Sequence, residues 1–222
     1  MNAAKNIART TRFLRVAMFI LAAIGIAMVI RRTLTINGLI PPFTPPGTAP
    51  FDTGFGRHPI ITYLHILPGL LFMILGPLQF IPGVIASYQR PSSRWSRRVF
   101  LAAAWIVGLS ALFMPFMIAP IGGINEAAAS MLFALLFLVS LGKTTWYQGN
   151  GNQRLYREWL IRAFAIGLAI ATIRPIMGLF FAFSGLPPQV FFGTAFWIGF
   201  TLHAIVAETW INYTRKLVAL SK

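Results

Sequence analysis

The stretch His65–Phe80, HILPGLLFMILGPLQF, decides the fold, because it is a long apolar run with a polar side chain near each end. His65 and Gln79 are 14 positions apart. On a helix with about 100° and 1.5 Å per residue, they lie within about 40° of each other and about 21 Å apart along the axis. The same face carries residues that are apolar or small enough for neighbouring helices to approach closely: Pro68, Gly69, Phe72 and Gly76. We therefore predict a membrane helix with an inward face and one polar group toward each leaflet.

The composition of the whole chain is that of a membrane protein. Of its 222 residues 57% are hydrophobic and 10% are charged, and the mean hydropathy is +0.72. Soluble domains are about 25% charged. The net charge of +15 comes from 19 Lys and Arg against 4 acidic residues. Because the basic residues lie between apolar runs, we interpret them as topology signals and predict no nucleic-acid partner. Cysteine is absent, which excludes disulfides and thiolate chemistry.

Six apolar segments are each near the length that a bilayer requires. Arg31 and Arg32 follow the first segment where a cleavage site would be needed, so we interpret it as a retained helix rather than a signal peptide. The predicted fold class is all-α: a polytopic membrane helical bundle that forms a single domain over 1–222. Its predicted transmembrane helices are 13–31, 59–87, 99–120, 125–145, 159–183 and 190–212.

The basic residues outside the apolar segments lie mostly on one side of the predicted membrane helices. One side has most of them: Lys5, Arg9, Arg12, Arg15, Arg90, Arg94, Arg97, Arg98, Arg154, Arg157, Arg215, Lys216 and Lys222. The other side has only Arg31, Arg32 and Arg57. The positive-inside rule therefore predicts an N-in/C-in protein of the cytoplasmic membrane. The lipid bilayer is its expected partner, and a homodimer or a membrane-complex partner stays open.

One outer loop, 33–58, is long and rich in proline and glycine. Loops of this length in compact domains are lids, binding loops or linkers. We expect it to lie over the outer mouth of the bundle, with a flexible tether as the alternative.

Polar groups inside apolar spans are costly and usually face the bundle interior. Estimated depths place four of them in one inner layer: Gln79, Arg98, Arg162 and Glu208. Arg162 and Glu208 are expected to pair, because a carboxylate offsets much of the cost of a buried arginine. The alternative interpretation of this layer is purely structural contact between helices.

Arg174 and His65 are predicted in the outer half of the membrane. One interpretation is a cavity in which they receive an anionic or carbonyl-bearing ligand, under the loop that carries Asp52, Arg57 and His58. The alternative is that Arg174 simply pairs with Glu126, the nearest plausible acid.

His203 is expected near mid-membrane, either as a packing residue or as a ligand-binding one. A bis-histidine haem b site would require His203 and His65 to face each other across helices. Their estimated depths differ by about 9 Å, which argues against that pairing.

The motifs HILPGLLFMILGPLQF and YREWLIR resemble a family of predicted bacterial multi-pass membrane proteins known only as a domain of unknown function. The resemblance runs from His65 to Glu208 and implies a multi-helix membrane fold without an established reaction. This sequence has Ser93-Arg94 and Tyr156-Arg157 where the family pattern has His-Arg. The positions that keep the pattern are His65, Gln79, Arg94, Arg98, Arg157, Arg162, Arg174 and Glu208.

Three functions follow as predictions. The first is an integral membrane protein that binds a small lipophilic or anionic, quinone-like ligand in an outer-half polar cavity and is redox-associated. The ligand-binding residues would be His65, Arg174, His203 and His58. The second is a structural or accessory subunit of a membrane complex, and the third is a haem b electron-transfer protein. No metalloprotease, nucleophile-elbow, phosphate-loop or acidic metal motif occurs, so we predict no metal site and assign no reaction.

Overall fold

The computed structural model describes residues 2–44, 52–81 and 91–220, with side chains for 9–44, 52–81 and 95–215. Its described residues form seven helices: α1 Asn2–Ile36, α2 Thr53–Arg57, α3 Pro59–Leu78, α4 Pro91–Met117, α5 Gly123–Gly149, α6 Gln153–Phe183 and α7 Pro188–Leu220. All except α2 contain a segment long and apolar enough to cross a membrane. The predicted all-α membrane bundle of six spans is therefore confirmed.

Several helices extend beyond the predicted apolar segments, because helical backbone continues after the hydropathy signal ends. The first was predicted at 13–31 and is observed at Asn2–Ile36. The predicted outer loop 33–58 accordingly begins inside α1 and also contains α2, while its residues 45–51 lie outside the described part of the chain.

The second span differs in the other direction. It was predicted at 59–87, but α3 ends at Leu78, and Gln79 occupies the cap position instead of the helix interior. The Gln79 N–H donates to the Gly76 carbonyl at 3.0 Å, so the last turn is tighter than an α-helix. Pro82 follows closely in the sequence and disfavours helical backbone in the residue before it. The predicted part after residue 81 lies outside the described residues.

The six long helices form a ring with one helix added outside it. Going around the ring, each of α1, α3, α4, α5 and α6 packs against the next, and α6 packs back against α1. The last helix, α7, packs against α5 and α6. We call the end of the bundle where α1 begins and α7 ends the terminal end, and the opposite end, which carries α2, the loop end.

Four phenylalanines from four helices form an aromatic core: Phe72, Phe100, Phe137 and Phe164. The Phe72 ring stacks on Phe100 at 5.2 Å between centroids and contacts Phe137 and Phe164 at 5.8 and 5.4 Å. Gly167 makes room for it, since a Cβ there would lie 2.6 Å from the Phe72 ring. Gly76 likewise lies directly against the Phe164 ring. The inward face predicted from Phe72 and Gly76 is therefore the packed face of α3.

Candidate functional site

At the loop end, a buried carboxylate joins the segment before α2 to the end of α1. Asp52 is only 4% exposed, and its Oδ1 lies 2.8 Å from Nε of Arg32. Both terminal nitrogens of Arg31 donate to Oδ2 of Asp52, at 3.4 and 3.3 Å. The Arg32 guanidinium also stacks on Phe55, 3.6 Å from the ring centroid. One carboxylate thus compensates two arginines at the edge of the membrane-spanning region.

Arg174 lies in the same region, and the structure does not pair it directly with Glu126. Its Nη1 lies 3.8 Å from the sulfur of Met177, and it interacts at longer range with Glu126 and Asp52. Glu126 instead accepts the backbone N–H of Gly122 at 2.7 Å, which places its carboxylate at the start of α5. Arg174 is therefore a half-buried cation held by two distant acids.

His65 is bonded to a neighbouring helix rather than left open. Its Nδ1 lies 2.9 Å from Oγ of Ser110 on α4, and that hydroxyl lies 2.7 Å from the Ile106 carbonyl. The donor in this bond depends on the tautomer of the imidazole: if the Ser110 hydroxyl donates to the Ile106 carbonyl, Nδ1 carries the proton that Ser110 accepts. A neutral His65 would then have Nε2 as its acceptor.

His58 is exposed, and the structure does not bring its side chain to this cluster. Its backbone carbonyl accepts from the N–H and hydroxyl of Thr62, at 3.1 and 2.9 Å, at the start of α3. Its role in the structure is that of a helix cap.

Toward the terminal end, Arg162 and Glu208 form a two-pronged ion pair. The Nε–Oε1 and Nη2–Oε2 distances are 2.5 and 2.9 Å, and Arg162 stacks on Trp159. The other two residues predicted in this layer are placed differently. Gln79 is buried and donates to the Leu75 carbonyl at 3.2 Å, whereas Arg98 is exposed.

Sequence reasoning missed a second shared carboxylate, Glu158. It accepts from Nε of Arg154 at 3.3 Å, four residues earlier on α6, and from Nε of Arg215 on α7 at 2.8 Å. A second bond joins Nη2 of Arg215 to Oε2. The spacing of Arg154 and Glu158 is a sequence signal for the first contact, but nothing in the spacing indicates the second.

A cavity of about 350 Å³ lies between α1, α6 and α7, and it opens because α1 and α7 both pack on α6. Its walls are mostly apolar. The residues that line it are Thr11, Phe13, Leu14, Arg15, Ala17, Met18, Leu21, Phe80, Arg157, Ile161, Phe164, Ala165, Leu168, Thr172, Leu202, His203, Val206, Ala207 and Trp210. His203 is therefore a cavity residue, while His65 and Arg174 do not line this space.

A hydrogen bond forms the deep polar end of the cavity. Nε2 of His203 and Oγ1 of Thr172 are 2.7 Å apart. Two arginines, Arg15 and Arg157, line the opposite end, near the terminal end of the bundle. Arg157 and Thr172 are 15 residues apart on α6, which corresponds to about 22 Å along the helix.

The structure does not bring together the two imidazoles that a bis-histidine haem would need. His65 is bonded to Ser110 on α4, and His203 is bonded to Thr172 on α6. Within the described residues, no group of three His, Asp or Glu side chains could hold a metal ion.

Comparison with known proteins gives one finding beyond the geometry. The family model described as a predicted membrane protein, DUF2306, matches residues 62–211, about two thirds of the chain. No curated protein and no solved structure matches. The matched region begins at the start of α3 and ends within α7, so it contains the aromatic core and the two paired acids of the terminal end, Glu158 and Glu208. The chain belongs to the DUF2306 family of predicted membrane proteins.

Proposed function

We propose that this membrane protein binds a small lipophilic ligand with a polar group, of the quinone-like class, in the cavity between α1, α6 and α7. The observation that carries this proposal is the cavity itself, about 350 Å³ between three helices that are long and apolar enough to span a membrane, with the hydrogen-bonded pair His203 and Thr172 in its lining. Ligand sites are typically clefts of about 300–1,000 Å³, mostly apolar, with a few placed polar groups. The cavity has each of these properties.

The chemistry of the deep end fits a carbonyl or hydroxyl group. His203 and Thr172 together supply a donor and an acceptor, and a ligand carbonyl can take the place of one partner in their hydrogen bond. Such a polar pair is favourable in a low-dielectric site and gives orientation to an otherwise apolar ligand. A quinone ring with a prenyl chain combines these two properties, and its redox chemistry would make the protein redox-associated.

Ala165→Phe tests this proposal because Ala165 lines the cavity from α6, and a phenyl ring there would occupy the space. Ala182→Phe is the matched control, since Ala182 is exposed on the same helix and does not line the cavity. Organic extracts of the purified proteins are analysed by mass spectrometry. We expect a lipophilic compound in the wild type and in Ala182→Phe, and its depletion in Ala165→Phe. Equal amounts of the compound in the extracts of all three proteins would show that it does not bind in this cavity.

A second candidate site lies at the loop end, where the sequence predicts that Arg174 and His65 receive an anionic or carbonyl-bearing ligand and where Arg32 also lies. One observation favours it: the Nη1 atom of Arg32 is buried and has no hydrogen-bond partner among the described residues. A buried guanidinium donor without an acceptor is costly, and an anion would satisfy it.

The loop-end candidate is tested by the thermal stability of the detergent-solubilised protein with added phosphate. We expect phosphate to raise the melting temperature of the wild type and of Arg57→Gln, because Arg57 is exposed at the same end. Arg174→Gln should lose this response. If Arg174→Gln responds as the wild type does, Arg174 holds no anion.

A further inference from the structure

Arg15 and Arg157 line the terminal end of the cavity without a carboxylate partner. Arg15 is half-buried on α1, and Arg157 is exposed near the start of α6. Neither makes an ion pair within the described residues, in contrast to Arg31, Arg154 and Arg162.

The supply of carboxylates explains this contrast. The chain has 4 acidic residues, and all of them lie in the described part. Asp52 is bonded to Arg31 and Arg32, Glu158 to Arg154 and Arg215, and Glu208 to Arg162. The fourth, Glu126, binds a backbone N–H at the loop end. The side chains of the protein therefore leave no carboxylate to compensate the two cavity arginines.

The cavity continues from these arginines along α6 toward Thr172. Apolar side chains line it from all three helices, among them Met18, Leu168 and Val206. It extends about 22 Å along α6, whereas one leaflet contributes about half of the 30 Å hydrocarbon core. A single acyl chain entering beside Arg157 would thus run from the headgroup level toward the bilayer centre.

From these observations, and resting on the cavity site proposed above, we infer that an anionic phospholipid occupies this cavity when the quinone-like ligand is absent. Its phosphate lies on Arg15 and Arg157, and one of its chains lies in the cavity. Guanidinium groups are well suited to phosphate because they donate parallel hydrogen bonds to two oxygens. A neutral quinone would use the same apolar walls but would leave both arginines compensated only by solvent.

The experiment is a native mass spectrometry titration of the full chain in detergent with phosphatidylglycerol and phosphatidylcholine of identical acyl chains. The first variant is Arg15→Gln with Arg157→Gln. Its control is Arg12→Gln with Arg98→Gln, which removes the same charge from exposed positions outside the cavity lining. Ala165→Phe and Ala182→Phe are titrated in parallel.

We expect the wild type to retain phosphatidylglycerol in preference to phosphatidylcholine. A basic side chain near an anionic lipid is worth about five-fold in affinity. The affinity of the Arg15/Arg157 variant for phosphatidylglycerol should therefore be about 25-fold lower than that of the wild type. The control double variant should keep the wild-type preference. If the Arg15/Arg157 variant does not fold, the preference of the wild type and its loss in Ala165→Phe still decide the inference.

The outcomes separate this inference from the proposed function. Binding that is sensitive to Ala165→Phe but equal for both headgroups would overturn the phospholipid assignment and keep the cavity as a ligand site. A phosphatidylglycerol preference that the control double variant abolishes equally would show a diffuse charge effect and would also overturn it. Lipid retention that is unchanged in Ala165→Phe would reject the cavity itself.

Discussion

Two pairs of arginines, one at each end of the bundle, differ in their carboxylate partners. At the loop end, Arg31 and Arg32 share the buried carboxylate of Asp52. At the terminal end, where other arginines are paired, Arg15 and Arg157 line a cavity and make no ion pair among the described residues. Buried charge is expensive unless it is paired, so a pair supplied by the protein stabilises the fold. An arginine without a carboxylate partner can instead bind an anionic group of a ligand. The difference separates structural arginines from those that we assign to ligand binding.

The largest expected effect comes from removing the shared carboxylate at the loop end. Asp52→Asn keeps the shape of the side chain but leaves the buried Arg32 uncompensated. Breaking one partner of a buried ion pair typically costs about 3–5 kcal/mol. We expect a loss of that size in the free energy of unfolding, measured by chemical denaturation in detergent micelles. Arg57→Gln, at an exposed position of the same end, should change it by less than about 0.5 kcal/mol. Equal stability of the two variants would contradict a structural role for Asp52.

A larger side chain at Gly76, in the aromatic core, tests whether helix packing contributes as much to the free energy of unfolding as the buried ion pair does. A side chain at Gly76 would collide with the Phe164 ring, so Gly76→Leu should cost about 2–3 kcal/mol through overpacking. Gly142→Leu is the control, because a Cβ at Gly142 meets no atom within 4 Å. The same denaturation assay measures both. A Gly76→Leu protein as stable as Gly142→Leu would mean that the helices separate without cost at this position.

A paired arginine at the terminal end gives an intermediate effect. A double-mutant cycle of Arg162→Ala and Glu208→Ala should give a coupling energy of about 1 kcal/mol. The value is modest because the Glu208 side chain is 48% exposed, and solvent screens the pair. A coupling energy of zero would mean that this ion pair does not contribute to the stability of the protein.

The smallest expected effect on stability is at the cavity mouth. Arg15→Gln with Arg157→Gln removes two charges that make no ion pair among the described residues, so the free energy of unfolding in a neutral detergent should change by less than about 0.5 kcal/mol. A loss above about 2 kcal/mol would show that these arginines are structural, and the contrast between the two pairs of arginines would fail.

The fold was more predictable than the site. Spans follow from hydropathy and length, and these properties are local to each segment. Depth estimates also placed Arg162 near Glu208, because helices of known rise fix the level of each residue. Depth estimates do not determine whether a side chain faces the bundle interior or its surroundings, and Arg98 and His58 are in fact exposed. The cavity was beyond prediction, since it exists only because α1 and α7 pack on α6 and leave space between them.

The aromatic core has an electrical consequence. Phe72, Phe100, Phe137 and Phe164 are each at most 4% exposed and pack against one another inside the ring of helices. An apolar constriction of this kind is a barrier to ions and water. We therefore expect no ion current along the axis of this ring of helices.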